Sequence, residues 1–336
     1  MSANSSIEWT EKTWNPVRGC SIVSPGCHHC YAMKQAHRFS GPGRAYEGLT
    51  KQTKAGPQWT GVVRTVKDAL LEPLSWRKPQ RVFVNSMSDL FHEDVPDAFI
   101  DQVFAVMALA QQHTFQILTK RPARMREYVT SRGGSHRGVQ IAAILMNVVS
   151  DKRTPQISWP SPNVWLGVSV EDQQRADERI PLLLQTPAAV RFISAEPLLG
   201  PVSIRLSGGV PLKDGTRWSG TLPVLDWVIV GGESGPAARP FEPAWARAIV
   251  RECRAVNVPV FVKQLGAHII TRNDDGWEGD TPRSWPMDTD YEEDLHGFRD
   301  AYQGAPVRVR LTSRKGGDMA EWPEDLRVRQ FPEVRS

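Results

Sequence analysis

The chain is short of cysteine and of long apolar runs, and each shortage excludes something. Four cysteines in 336 residues are too few for a disulfide framework, which uses more of them, spread more widely. No apolar run reaches the roughly 20 residues that a membrane-spanning helix needs. The opening MSANSSIEWTEKTW has neither an apolar core nor a secretory cleavage pattern. The expectation is a soluble, cytoplasmic protein with no membrane partner. Repeats and low-complexity tracts are also absent. A net charge of only +4 permits a nucleic-acid partner without arguing for one. What is present is a 40% hydrophobic fraction, enough for one large α/β domain or two ordinary ones.

The charge is unevenly placed. Residues 120–137 hold six basic residues and one acidic one, Glu127, whereas residues 271–300 hold ten acidic and three basic ones. Two solvated faces would read the same way as a pair of surfaces that orient an anionic substrate.

Short apolar runs recur, each ending in a polar or glycine-containing turn. Residues 82–84 lead into Asn85, Ser86, Met87, Ser88 and Asp89. Residues 115–118 lead into Thr119, Lys120 and Arg121, and residues 164–168 into Ser169, Val170 and Glu171. Residues 190–193 lead into Ser194, Ala195 and Glu196, residues 227–230 into Gly231, Gly232 and Glu233, and residues 260–262 into Lys263. These runs are apolar at consecutive positions, the pattern of strands covered on both faces. Helical stripes lie between several of them: Ile100, Val103, Phe104, Met107 and Ala108 behind Pro96, and Ala246, Ile249, Val250 and Cys253. With a short strand before Cys20 this makes about seven β-α units. The expected fold is α/β, a parallel (β/α) partial or complete TIM-type barrel over residues 1–266, with a C-terminal Trp/Pro/acidic appendage over 267–336. An extra helix is expected near 139–149 and a hairpin insertion over 206–223. In such a barrel the polar turns converge on one mouth, where sites are built.

Three of the four cysteines, Cys20, Cys27 and Cys30, fall within the turning loop 19–31, GCSIVSPGCHHCY. Its two-residue interval lets Cys27 and Cys30 reach one centre, and the six-residue excursion brings Cys20 back. Three thiolates are one short of the shell usual for structural zinc and one short of the four that usually hold an iron–sulfur cluster. By spacing alone three readings stay open: a 4Fe–4S cluster with one iron free of protein, zinc completed by His28 or His29, or no metal. Cys253 lies on an apolar helix face and reads as a small buried hydrophobe. Trp9 and Trp14 read as core, with covering a cluster or stacking bases as the rival roles.

Three cysteines after the first strand of a parallel barrel resemble the radical S-adenosylmethionine superfamily, whose common spacing is C-x3-C-x2-C. The second interval matches, and the first is longer by three. IEWTEKTWNPVRGC, FVNSMSDLFHEDVP, QILTKRP, VWLGVSVED, RFISAEPLLG, DWVIVGGESG and FVKQLG together resemble a phage- and prophage-associated family of unsettled function. That family is usually placed among radical S-adenosylmethionine-like proteins, with spore photoproduct lyase as a distant relative. The resemblance covers most of residues 7–266.

The resemblance implies that Cys20, Cys27 and Cys30 hold three irons of a 4Fe–4S cluster and that S-adenosylmethionine binds the fourth. It implies an electron donor such as a flavodoxin or ferredoxin, and a substrate that is DNA or RNA, repaired or modified. By this kinship Ser86, Ser88 and Asp89 would meet the methionine amino group, although the usual glycine-rich motif is missing there and capping a turn is the rival role. Thr119 and Lys120 would meet the cofactor carboxylate or a substrate phosphate, Ser169 and Glu171 the ribose. Glu196 joins the same ring. Gly231, Gly232 and Glu233 come after the sixth strand, where glycines would let the backbone approach adenine or simply make a tight turn. Arg121, Arg124, Arg126, Arg132 and Arg137 would contact nucleic-acid phosphates. The alternative is a zinc-stabilised, non-catalytic nucleic-acid-binding phage protein.

Overall fold

The computed structural model describes residues 5–133, 158–204, 225–271 and 307–333. The helix expected near 139–149, the hairpin over 206–223 and most of the acidic stretch lie outside the described residues.

Seven strands form one parallel sheet in strict sequence order: β1 (Lys12–Trp14), β2 (Arg81–Val84), β3 (Thr114–Thr119), β4 (Val164–Ser169), β5 (Val190–Ala195), β6 (Trp227–Gly231) and β7 (Val260–Gln264). Their alignment is in register, for example Lys12 with Val82, Val82 with Phe115 and Val164 with Phe115. β4 and β6 are buried at every position, which is why they read as unbroken apolar runs. Helices α1 (Tyr31–Arg38), α2 (Asp97–Leu109), α3 (Pro122–Gly133), α4 (Gln173–Leu184) and α5 (Pro243–Ala255) lie between strands. Pro96 opens α2, and Asp172 caps α4 by accepting the Arg175 N–H at 2.8 Å. None of the described helices is long and apolar enough to cross a membrane.

The two faces of the sheet bury different side chains. One set, including Val82, Val84, Ile117, Leu166, Val228 and Val262, joins the helices in the main core, where Trp14 and Cys253 are also fully buried. The alternate positions, Phe83, Trp165, Phe192, Trp227 and Phe261, pack on one another with Trp9. The Trp9 ring stands 4.8 Å from Phe83 on β2 and 6.3 Å from Trp227 on β6. One indole touches both only if the sheet curls, so this aromatic layer is the inside of a partial barrel. Trp9 and Trp14 are therefore core residues.

β1 and β7 are not paired with each other. Beside β7 lies the segment from Val328 to Phe331. The Val262 N–H donates to the Val328 carbonyl at 2.8 Å and the Gln330 N–H to the Val260 carbonyl at 3.0 Å, with Phe261 and Arg329 bridged antiparallel. Phe331 then enters the inner aromatic layer, 5.3 Å from both Trp227 and Phe261, under the Arg81 guanidinium at 4.2 Å. Trp322 and Leu326 reach the main core.

Gly167 on β4 faces the inner layer because nothing larger fits: a Cβ there would stand 2.5 Å from the Phe192 ring. Gly167→Ala is expected to lower stability by about 1–3 kcal/mol through overpacking, read as a lower urea midpoint. Adding Phe192→Leu should return part of that loss.

Candidate functional site

The strands are parallel, so their C-terminal ends share one edge. The loop carrying Cys20, Cys27 and Cys30 lies over that edge, and the polar turns come up beneath it. Apart from one 3-10 turn, Pro25–Cys27, the loop has no regular structure up to α1. It is held from below by carboxylates that are themselves held by cations.

Asp89, after β2, is 5% exposed. One oxygen accepts the Thr119 hydroxyl at 2.7 Å and the Phe91 N–H at 3.0 Å. The other accepts the Lys120 N–H at 3.1 Å and Arg121 Nη1 at 3.2 Å. Arg121 is thereby aimed at the cysteine loop. Its Nη2 donates to Ser21 Oγ at 2.6 Å and its Nη1 to Cys20 Sγ at 3.8 Å, while Nε donates to Glu93 at 2.8 Å. Burial works against the Arg121 charge, but Asp89, Cys20 and Glu93 more than offset it and raise its pKa. Ser21 Oγ also meets His92 Nε2 at 2.9 Å. Burial and the Arg121 charge both lower the pKa of that histidine.

Glu171, after β4, is fully buried. It accepts Arg179 Nη1 at 3.0 Å and Nη2 at 3.5 Å, and the cysteine loop packs on it at Ser24 and Gly26, where a Cβ on Gly26 would stand 3.0 Å from its carboxyl carbon. Burial alone would raise its pKa, but Lys120 and Arg179 hold the carboxyl below the usual range. Ser169 contributes its carbonyl to Arg179 at 2.9 Å.

Glu233, after β6, binds His29 Nδ1 at 2.9 Å and takes the Arg239 N–H, Nε and Nη2 at 2.9, 3.0 and 2.6 Å. Arg239 Nη1 in turn donates to the Pro25 carbonyl at 2.9 Å. Glu196 pairs with Lys263 Nζ at 2.5 Å.

The remaining sequence-selected positions serve the frame. Ser86 Oγ donates to Asn15 at 3.2 Å and its carbonyl accepts the Tyr31 hydroxyl at 2.6 Å. Ser88 Oγ donates to the Val17 carbonyl at 2.8 Å. A Cβ on Gly232 would lie 2.4 Å from the Leu265 carbonyl, so that glycine admits the neighbouring backbone. One on Gly231 would lie 3.3 Å from the Glu196 carboxyl carbon.

The structure therefore gathers Cys20, Cys27, Cys30, Asp89, Thr119, Lys120, Glu171 and Glu233 around one loop. Of the arginines of residues 120–137, the three whose side chains are described have partners within the fold. Arg121 is committed to Asp89 and Cys20, Arg124 pairs with Asp97, and Arg126 donates to Gln185 at 2.6 Å. The Arg132 side chain and Arg137 lie outside the description. Sequence reasoning missed Arg179 and Arg239. A buried acid announces that it needs a cation, but nothing in the sequence says which one.

The thiols bear on whether a metal fits. Burial pushes Cys20 up to about 12; Asp89 adds to this, Arg121 opposes it, and Cys30 and Cys27 each raise it further. Cys30 is raised by burial and by Cys27. Cys27 acts on both of the raised thiols, so the three sulfurs lie near one another, and a cation beside them would favour the charged form of Cys20 and Cys30. Among the described residues no three His, Cys, Asp or Glu side chains are already closed on a single point. The donor chemistry fits a thiophilic metal or cluster.

Fold and loop together define a parallel α/β half-barrel protein with a three-thiol mouth. Residues 4–318 match a family model described as a protein of unknown function, DUF5131, and the chain belongs to that family. No curated protein and no solved structure matches it.

Glu171→Gln is expected to cost about 1–3 kcal/mol at pH 7, because buried donors lose their charged acceptor. A carboxyl whose folded pKa is lowered gives stability above its ordinary 4.5 and loses it as pH falls through the folded value. The gap between wild type and variant should therefore narrow below pH 4.5, which urea melts at neutral and acid pH would show.

Proposed function

We propose that this chain is a radical S-adenosylmethionine-type iron–sulfur enzyme acting on nucleic acid, in repair or base modification. The observation that carries this reading is the placing of three neighbouring thiols, on one short loop, over the C-terminal mouth of a parallel half-barrel. In this reading Cys20, Cys27 and Cys30 hold a 4Fe–4S cluster. When bound, that cluster supplies the electron with which S-adenosylmethionine is cleaved at its sulfonium to methionine and a 5′-deoxyadenosyl radical. In this reading the electron comes from a flavodoxin or ferredoxin and the enzyme works in the cytoplasm.

The chain's own groups fill the supporting roles. Glu171, Glu233 and Arg239 fix the loop. Arg121 puts a positive charge and an N–H beside Cys20. Lys120 and the Lys263–Glu196 pair give the mouth charges of both signs for a zwitterionic amino acid. Asp89, with every contact above directed to Arg121, Thr119 and the backbone, acts as a positioning residue. Residues 1–266 are the working barrel, and 267–336 are the appendage that finishes it.

The test is anaerobic iron–sulfide reconstitution followed by S-adenosylmethionine and dithionite. The expected result is a brown protein that forms 5′-deoxyadenosine, with a Cys27→Ala variant that does not. A colourless protein holding zinc through the same cysteines would replace this reading with the non-catalytic binding protein.

Arg121→Gln should make the cluster harder to reduce, because a cation and a hydrogen bond beside a ligating sulfur favour the more negative reduced state. A redox titration followed by electron paramagnetic resonance would show a lower midpoint, partly restored in Arg121→Lys.

A further inference from the structure

Between Tyr31 and Lys67 the chain has seven basic residues and one acidic one, an excess larger than the +4 of the whole chain. Lys34, Arg38, Arg44, Lys51 and Lys54 are exposed, as are Arg64 and Lys67, and none forms an ion pair with a described residue. The one acid, Glu47, is turned to the Gly43 N–H at 2.9 Å.

Within this face two arginines are set against each other. The strand Val17–Arg18 pairs antiparallel with Arg64–Thr65, which puts Arg18 directly opposite Arg64. Like charges at opposed positions repel, yet no described carboxylate pairs with either. Arg18 is steadied by the Tyr46 ring at 5.5 Å. Both guanidinium groups, with Thr65 and Lys67, line an open groove of about 390 Å³ in which Asp68 is the one carboxylate. Two guanidinium groups facing one groove, neither ion-paired with a described residue, suit a phosphate, which accepts from both.

The groove adjoins the mouth. Gly19 joins Arg18 to Cys20 and packs so closely on the opposite segment that a Cβ would stand 2.1 Å from the Val62 carbonyl. Val62 itself is 47% exposed.

We propose that this groove is a phosphodiester-binding site. Arg18 and Arg64 hold a backbone phosphate of a nucleic-acid strand, Lys67 adds its charge, and the basic face from Lys34 to Lys54 carries the flanking phosphates. The nucleotide next to the held phosphate is thereby presented over Cys20. A single free anion needs no more than the groove; the five further unpaired bases favour a polyanion. The inference rests on the nucleic-acid half of the proposed function and not on its cluster.

The experiment is fluorescence anisotropy of labelled single-stranded and duplex oligonucleotides with the full chain, across about 50–200 mM salt. Arg18→Gln/Arg64→Gln is compared with Arg251→Gln/Arg254→Gln, the same charge change at exposed positions of α5. The groove variant should lose about two units from the slope of log K against log salt, and the control none. If the double variant folds poorly, Arg64→Gln alone should lose about one unit. Equal slopes in groove and control variants overturn the site. Strong competition by inorganic phosphate at the groove, with oligonucleotide binding unchanged by the variants, overturns it in favour of a free anion. A wild-type chain that binds neither oligonucleotide overturns the inference and the nucleic-acid half together. Formation of 5′-deoxyadenosine in the same samples reports separately on the cluster.

Discussion

A loop of eleven residues with one 3-10 turn has no core of its own, so its shape has to be imposed from below. Buried carboxylates at the sheet edge impose it. Glu171 reaches Gly26 and Ser24, Glu233 reaches His29 and, through Arg239, Pro25, and Asp89 reaches Ser21 and Cys20 through Arg121. Each acid stands at the end of a different strand, so the loop is pinned at three points around the curve of the sheet. Carboxylates suit this task because a charged acceptor binds several N–H groups at once more strongly than a neutral one.

That arrangement has an energetic condition. A buried carboxylate is tolerated only when paired and hydrogen-bonded, and here each has its own arginine. Most of the ionisable groups at the edge therefore neutralise one another. The thiols are the exception: burial raises Cys20 and Cys30, their neighbouring sulfurs add to it, and Arg121 at Cys20 and Lys120 at Cys30 oppose it only in part. The cysteine thiols are the part of the mouth that is not matched in this way, and they are the groups to which the proposed cluster is assigned.

The sheet was legible because parallel strands buried on both faces are apolar at consecutive positions, and all six such runs are strands of it. The ring of turns was legible for the same reason, since parallel strands put every C-terminal end on one edge. The curl was not, because it depends on Trp9 touching β2 and β6 at once. Nor were the loop's clamps: His29 and Glu233 are 204 positions apart, and no local pattern joins them. Charge density along the chain misled in one respect. The arginines of residues 120–137 stand out in the sequence, but α3 and the turn before it commit Arg121, Arg124 and Arg126 to partners within the fold. The bases from Lys34 to Lys67 are more thinly spread and form no ion pair with a described residue.

The antiparallel segment from Val328 to Phe331 lies where a closed barrel would have its eighth strand, and Phe331 shares the inner aromatic layer with Trp9. The floor of the half-barrel is thus completed by residues from both ends of the described chain. The segment from Trp322 to Phe331 covers the aromatic layer, and its contacts with Trp227 and Phe261 favour the curled sheet over a flat one. The spacing of the three anchoring carboxylates at the opposite rim follows from that curvature. Phe331 therefore couples the C-terminal part of the described chain to the shape of the sheet that carries the cysteine mouth.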